Sequence, residues 1–348
     1  MPDAGILPTG TTVLITGATG FTGAVLTRKA CAQGLRVRAI ARTTSNLGVL
    51  AGLPIEWVRG DVFDPAVVAE ASAGVEVVFH VAAAYREAGV SDDVYRNVHV
   101  DSTRLLAEAA LRRPGFRRFV HVSTVGVHGH IECPPADETC RFSPGDLYQR
   151  TKAEAELWLR DFAAREGLPF TVIRPAAIYG PGDRRLLKIF KMAAKPVFPV
   201  IGHSKGLYHL IHVDDLTEIL LRASVHPAAA GEVFIAGDPA ALALADIVRI
   251  IGAEYGRQPR MIRLPAWPFF LAADLCEAVC KPFGLAPPLY RRRVAFFTKD
   301  RSFNTSKLRD RLDYRYGRTT EAGLRETARW YVGHGWVRAP AAQRTTPA

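Results

Sequence analysis

The stretch Thr11–Gly23, TTVLITGATGFTG, limits what this chain can fold into more than any other. Val13, Leu14 and Ile15 form the short apolar run of a strand buried on both faces. Gly17, Gly20 and Gly23 follow at three-residue spacing. Ala24–Gln33 then carries apolar residues at helical intervals up to Gly34, a helix stop. Strand, glycine turn and helix together set a helix N-terminus against a phosphate, with Thr19, Phe21 and Thr22 in the same turn. Glycine lets the backbone approach a pyrophosphate where a side chain would intrude. The same spacing also makes an ordinary tight turn, so on this stretch alone both readings stand.

The pattern that follows it is repetitive. Val37–Ala41, Ile55–Val58, Val75–Ala84, Phe119–Ser123 and Phe170–Arg174 read as further strands, with helical patterns such as Asp101–Leu111 between them. Strands alternating with helices give a doubly wound parallel α/β sheet, a Rossmann architecture. Ala82, Ala83 and Ala84 close the fourth strand, and such small side chains leave room for a ligand above the sheet. The expected organisation is a Rossmann domain over 1–180, with 210–236 returning to it. A smaller, mostly helical substrate domain would take 181–209 and 237–336, followed by a disordered tail at 337–348.

Composition narrows the function classes. With 48% hydrophobic and 23% charged residues among 348, the chain is that of a soluble globular protein. A formal charge of +11 fits either a basic surface or an anionic partner such as a membrane or cofactor. No basic helix interleaved with aromatics points to nucleic acid. Cys31, Cys133, Cys140, Cys276 and Cys280 are scattered, without metal-ligand spacing, and read as reduced thiols in a cytoplasmic setting. No signal peptide and no spanning helix of about 18 apolar residues is expected, which leaves a soluble or peripheral protein.

Two positions speak to a dinucleotide. An acidic residue about 20 positions past the glycines would bind the ribose hydroxyls of NAD. Here stand Ala41 and Arg42, followed by Thr43, Thr44 and Ser45. A guanidinium with hydroxyls attracts a 2′-phosphate that a carboxylate would repel, so NADP(H) is favoured and NAD(H) is the alternative. Asp61, followed by Val62, stands where it accepts from an adenine amino group or simply caps the next helix.

The pieces TGATGFTG (16–23), GDVFD (60–64), HVAAA (80–84), Asn97, HVSTVGVHG (121–129), YQRTK (148–152), RPAAIYGPGD (174–183) and HVDDL (212–216) occur in one order. Together they resemble the short-chain dehydrogenase/reductase superfamily in its extended branch, the epimerase/dehydratase group. The resemblance implies an NAD(P)-dependent enzyme with Tyr148, Lys152 and Thr124 as catalytic residues. It also implies that Ser123 lines the nicotinamide end. Asn97 would bond a strand–helix junction and shape the site, and Pro175 would position the loop over the nicotinamide.

The chemistry gives each residue type its reason. Tyr148 and Lys152, at i and i+4, share one helix face. A free phenol has a pKa of about 10, and an ammonium together with a cationic nicotinamide favours its anion. A shift of about three units corresponds to roughly 4 kcal/mol. Tyr148 would thereby be the general acid/base, with Lys152 lowering its pKa and binding the nicotinamide ribose, and the resembled family's pattern, counted back from Gly129, gives Thr124 the hydroxyl at the reacting oxygen. Asp214 and Asp215 read as helix-capping and structural.

The substrate class rests on two departures. Nucleotide-sugar members of the resembled family carry an arginine just before the HVDD-like segment; Gly206–Ile211 has none. Between 264 and 297 the apolar sequence LPAWPFFLAADLCEAVCKPFGLAPPLYRRRVAFF reads either as an interfacial membrane segment, with Phe269 and Phe270 entering the bilayer and Arg291, Arg292 and Arg293 nearby, or as a pocket-lining helix. With FFTKDRSFNTSKLRDRLDY (296–314), it resembles the 3β-hydroxysteroid dehydrogenase and sterol 4-carboxylate 3-dehydrogenase group. That implies a hydrophobic sterol- or lipid-like substrate, with decarboxylation where a carboxylate lies beta to the new ketone. A nucleotide-sugar epimerase/dehydratase is the alternative, and a non-enzymatic redox sensor a third. A homodimer is an expectation from the family alone.

Overall fold

The computed structural model describes residues 6–84, 91–202, 206–283, 285, 287–291, 294 and 300–338. The apolar run at 13–15 becomes the middle of β1 (Thr12–Thr16) and is wholly buried. β2 (Arg36–Ala41), β3 (Ile55–Arg59), β4 (Val77–His80), β5 (Arg118–Val122) and β6 (Phe170–Pro175) run parallel to it in the order β3–β2–β1–β4–β5–β6. Beyond β6 the chain leaves the sheet. β7 (Ala177–Tyr179) pairs with β10 (Leu210–His212), β8 (Val197–Ile201) with β13 (Arg260–Leu264), and β9 (Leu207–Tyr208) with β12 (Leu242–Ala243). Between them β11 (Glu232–Ala236) returns to the main sheet as its seventh strand, parallel to β6.

Alternation along β1 divides the core, because successive strand residues face opposite sides. Val13 and Ile15 face the layer of α1 (Phe21–Ala32) and α7 (Val213–Val225). Leu14 faces the layer of α2 (Pro65–Ala71), α4 (Ser102–Leu111) and α5 (Leu147–Glu166). A third cluster joins α6 (Leu187–Ala193), α8 (Leu244–Glu254) and a final helix, Thr320–Gly333. The strand order reverses between β1 and β4, and open α/β sheets form their ligand crevice above that point.

Three expectations change in detail. β4 stops at His80, because the Val81 and Ala82 amides both donate to Thr16 Oγ1 at 3.1 Å instead of extending the ladder. The helix expected from Asp101 begins earlier, as α3 (Asp92–Arg96), and runs into α4 through a π-turn at Asn97–Asp101. Val337 is buried in the third cluster; the rest of the expected tail, beyond Arg338, lies outside the described residues. Asp215 accepts from Tyr314 Oη and from the Gly317 amide, both at 2.8 Å, while Asp214 pairs with Arg318 at 3.0 Å. These carboxylates tie the C-terminal segment to α7. Among the described residues no helix is long and apolar enough to cross a membrane.

Candidate active site

The glycine turn is shaped by contact as well as by conformation. Gly17 has φ +71°, and a Cβ there would lie 2.9 Å from the backbone of Ala82. A Cβ on Gly23 would come within 2.0 Å of Gly17 O, so only glycine lets α1 pack this closely on the turn. Gly20 is the N-cap of α1 without a capping side chain, and the first turn has no acidic residue. The first residues of α1, Phe21, Thr22 and Gly23, line the cavity at this uncapped end, which suits an anion. This cradle fits a dinucleotide pyrophosphate.

The cradle opens into a cavity of about 1590 Å³. Gly17, Thr19, Gly20, Phe21, Thr22 and Gly23 form its floor at one end. Arg42, Asp61 and Val62 border it beyond the ends of β2 and β3, and Ala82, Ala83 and Ala84 beyond β4. Ser123, Thr124, Tyr148, Lys152 and Pro175 line the middle. Asn97 is the exception. It sits in the π-turn, its amide facing Asp101 and Asp93, and does not border the cavity.

Thr124 caps the short turn Val125–His128, its Oγ1 accepting from the Gly126 amide at 3.0 Å. The hydroxyl proton is then available to an oxygen in the cavity. Tyr148 stands in the first turn of α5, which Asp146 caps, with its ring edge-on to His99 at 5.3 Å. Lys152 is fully buried one turn later and donates from Nζ to the Val122 carbonyl at 2.9 Å. Burial pushes its pKa down to about 8, while Glu156 works to raise it.

Several polar residues beneath the cavity escape sequence reading. Glu156 continues the Tyr148–Lys152 stripe by one more turn; it accepts from Ser123 Oγ at 2.6 Å and from Arg174 Nε at 3.1 Å. Arg174 also donates to the Glu138 carbonyl at 3.0 Å, so both members of this solvent-free pair are held by further bonds. Ser123 therefore has its proton engaged, unlike Thr124. His80 bonds Thr16 Oγ1 through Nδ1 at 2.8 Å and Ser102 Oγ through Nε2 at 3.1 Å. His99 Nε2 accepts from the Ala84 amide at 3.1 Å, and its Nδ1 meets Thr151 Oγ1 at 2.8 Å. Burial, with the Lys152 charge, pushes His80 down to about 3 and His99 to about 2, so both rings are neutral struts. The i+8 continuation of the helix stripe is the one signal that could have located Glu156.

At the other end the wall changes character. Met192, Phe198, Leu244, Phe270, Leu289 and Phe303 line it, with Tyr208 and His209 in the position before β10 where the expected arginine is missing. Lys188 and Arg301 also line the cavity. Arg185 is held by Asp183 at 2.8 Å and lies over the Phe21 ring at 5.2 Å, reaching the cradle from the C-terminal part.

Comparison with known proteins agrees with this geometry. The model of the NAD dependent epimerase/dehydratase family matches residues 13–237. Sterol demethylase protein B of Methylococcus capsulatus is 40% identical over 50% of this chain and 53% of its own length, so the match spans about half of each. The 3 beta-hydroxysteroid dehydrogenase/Delta 5→4-isomerase of Mycobacterium tuberculosis is 29% identical over 95% of this chain and 93% of its own. Among solved structures, the dTDP-glucose 4,6-dehydratase DesIV of Streptomyces venezuelae, with NAD bound, superposes with a TM-score of 0.73 over 94% of this chain and 99% of that one, at 23% identity. That last likeness is one of fold. The glycine cradle, the switch-point crevice and the matched region together make this chain a member of the NAD dependent epimerase/dehydratase family.

Proposed function

We propose that this protein is an NAD(P)-dependent dehydrogenase or reductase that interconverts a secondary alcohol and a ketone on a sterol- or lipid-like molecule. The observation that carries the substrate class is the apolar far wall, formed by Met192, Phe198, Leu244, Phe270, Leu289 and Phe303. The two sterol-related proteins named above support it. The nicotinamide, when bound, accepts or donates the hydride. Tyr148 Oη takes the carbinol proton, or returns it to the ketone oxygen, while the Thr124 hydroxyl donates a hydrogen bond to that oxygen. Protonated Lys152, one turn away, stabilises the Tyr148 anion. His99 fixes the Tyr148 ring from the side, and Glu156 keeps positive charge on Lys152. Arg42 and Ser45 border the cavity beyond β2, which favours NADP(H) over NAD(H).

One observation favours a nucleotide-sugar substrate instead: Arg185, Lys188 and Arg301 border the cavity and would suit a diphosphate. Cofactor-linked turnover of 3-hydroxysterols, 3-keto lipids and nucleotide sugars, each with NAD and NADP, separates the two. Turnover of sterols or keto lipids is the expected outcome. Turnover of nucleotide sugars alone would overturn the reading.

A further inference from the structure

The helix α9 (Trp267–Cys280) carries an apolar stripe on its outside. Trp267 is 69% exposed, Leu271 59%, Leu275 65% and Val279 59%. These residues recur every four positions and so lie along one helix face. Phe283, just past the helix, and Ile262, on the strand before it, add exposed apolar surface. Single exposed hydrophobics are ordinary on soluble proteins, but a continuous stripe marks a surface made for contact. Phe270, on another side of the helix, faces the cavity. The stripe is therefore the outer surface of a wall whose inner surface meets the substrate, and its outward members are not the phenylalanines that dominate the sequence there.

Charge selects the occupant. The two acids of the helix, Asp274 and Glu277, are both engaged by Arg291: Asp274 by an ion pair, Glu277 by accepting from the Arg291 amide at 2.8 Å. Arg260 and Arg263 on β13, immediately before the helix, are exposed, and the chain as a whole carries +11. An apolar stripe beside acids engaged by Arg291 and beside exposed arginines matches an anionic bilayer, which offers hydrocarbon under a negative surface.

We propose that α9 docks this protein on anionic membrane through Trp267, Leu271, Leu275 and Val279, with its cavity wall at the lipid surface. The docking rests on the lipid-substrate reading only for its purpose, and it is measured without substrate, so each can fail alone. The full chain is floated with vesicles of phosphatidylcholine and with vesicles of equal parts phosphatidylcholine and phosphatidylglycerol. The wild type is expected to float with the anionic vesicles and to be released by salt. The double variant Leu271→Ser, Leu275→Ser should lose at least about tenfold in vesicle affinity, since two apolar contacts go. Its unfolding midpoint and cofactor affinity report that it remains folded. In the same vesicles, brominated acyl chains should quench wild-type tryptophan emission more than that of Trp267→Leu, which keeps the apolar surface. A wild type that stays in solution, a double variant that floats as well, or equal quenching would overturn the proposal. So would a dimer that the double variant breaks apart while vesicle binding is nil, because the stripe would then pair copies of the chain.

Discussion

Glu156 and Arg174 form an ion pair sealed from solvent directly behind the cavity, and the same carboxylate accepts the Ser123 proton at 2.6 Å. Because Glu156 also raises the Lys152 pKa against burial, this pair links the core of the sheet to the charge of the site. Lys152 and Glu156, one turn apart on α5, are therefore one electrostatic unit.

Removing one partner leaves the other charged in the core without its buried counter-ion. Arg174→Met and Glu156→Gln should each lower stability by on the order of 3–5 kcal/mol, the usual cost of breaking a buried pair. Urea unfolding measures this. A loss below about 1 kcal/mol, the range of surface pairs, would contradict the pair's role.

Glu156→Gln also changes the pH profile. Lys152, at about 8 in the intact protein, loses the one charge that raises its pKa. The alkaline limb of kcat/KM should move to lower pH, because the ammonium beside Tyr148 is then lost earlier. An unmoved limb would show that Lys152 protonation does not set it.

Arg42→Asp replaces attraction to a 2′-phosphate by repulsion. One charge-assisted hydrogen bond is worth about 1.5–3 kcal/mol, so the ratio of NADP to NAD affinity should fall by about 10- to 100-fold. Titration of both dinucleotides checks it; an unchanged ratio would remove Arg42 as the reader.

Acid should weaken the fold already below pH 6.5, through its buried histidines. His80 and His99 are held near 3 and 2, below the ordinary 6.5. Above pH 6.5 neither the folded nor the unfolded chain protonates them, so nothing is lost. Below it the unfolded chain takes protons that the folded chain refuses, and stability falls toward pH 3. Asp238, which burial pushes up to about 6, opposes this between about pH 6 and 4, because the folded chain protonates it first. Burial lowers His121 and His212 as well, which adds to the loss, so the net fall from pH 7 to pH 5 should exceed about 2 kcal/mol. A urea midpoint that stays flat over that range would contradict the neutral, buried assignment.

Sequence reading reached as far as local spacing carries. Gly17, Gly20 and Gly23, and Tyr148 with Lys152, are neighbours within a turn or a helix face, so their geometry follows from their separation. The bonds of Thr16 to His80, His99 to Thr151 and Glu156 to Arg174 join strands and helices distant in the chain, and no local period encodes them. Asn97 bonds within the π-turn at Asn97–Asp101 and does not line the cavity, and that turn inserts a shift that a regular helix lacks. In α9 the apolar run was evident but its orientation was not, because which face meets solvent depends on the cavity beneath Phe270.

If Tyr148 transfers the proton in a cofactor-linked oxidation or reduction of a hydrophobic secondary alcohol or ketone, turnover depends on its phenol oxygen. The most direct test follows reduced-nicotinamide absorbance with a detergent-dispersed 3β-hydroxysterol and NADP, comparing the wild type with Tyr148→Phe. Turnover by the wild type, a loss of about 100- to 10,000-fold in kcat in the variant, and unchanged cofactor affinity are the expected results. Turnover by Tyr148→Phe at the wild-type rate, or turnover of nucleotide sugars and of no sterol, would contradict them.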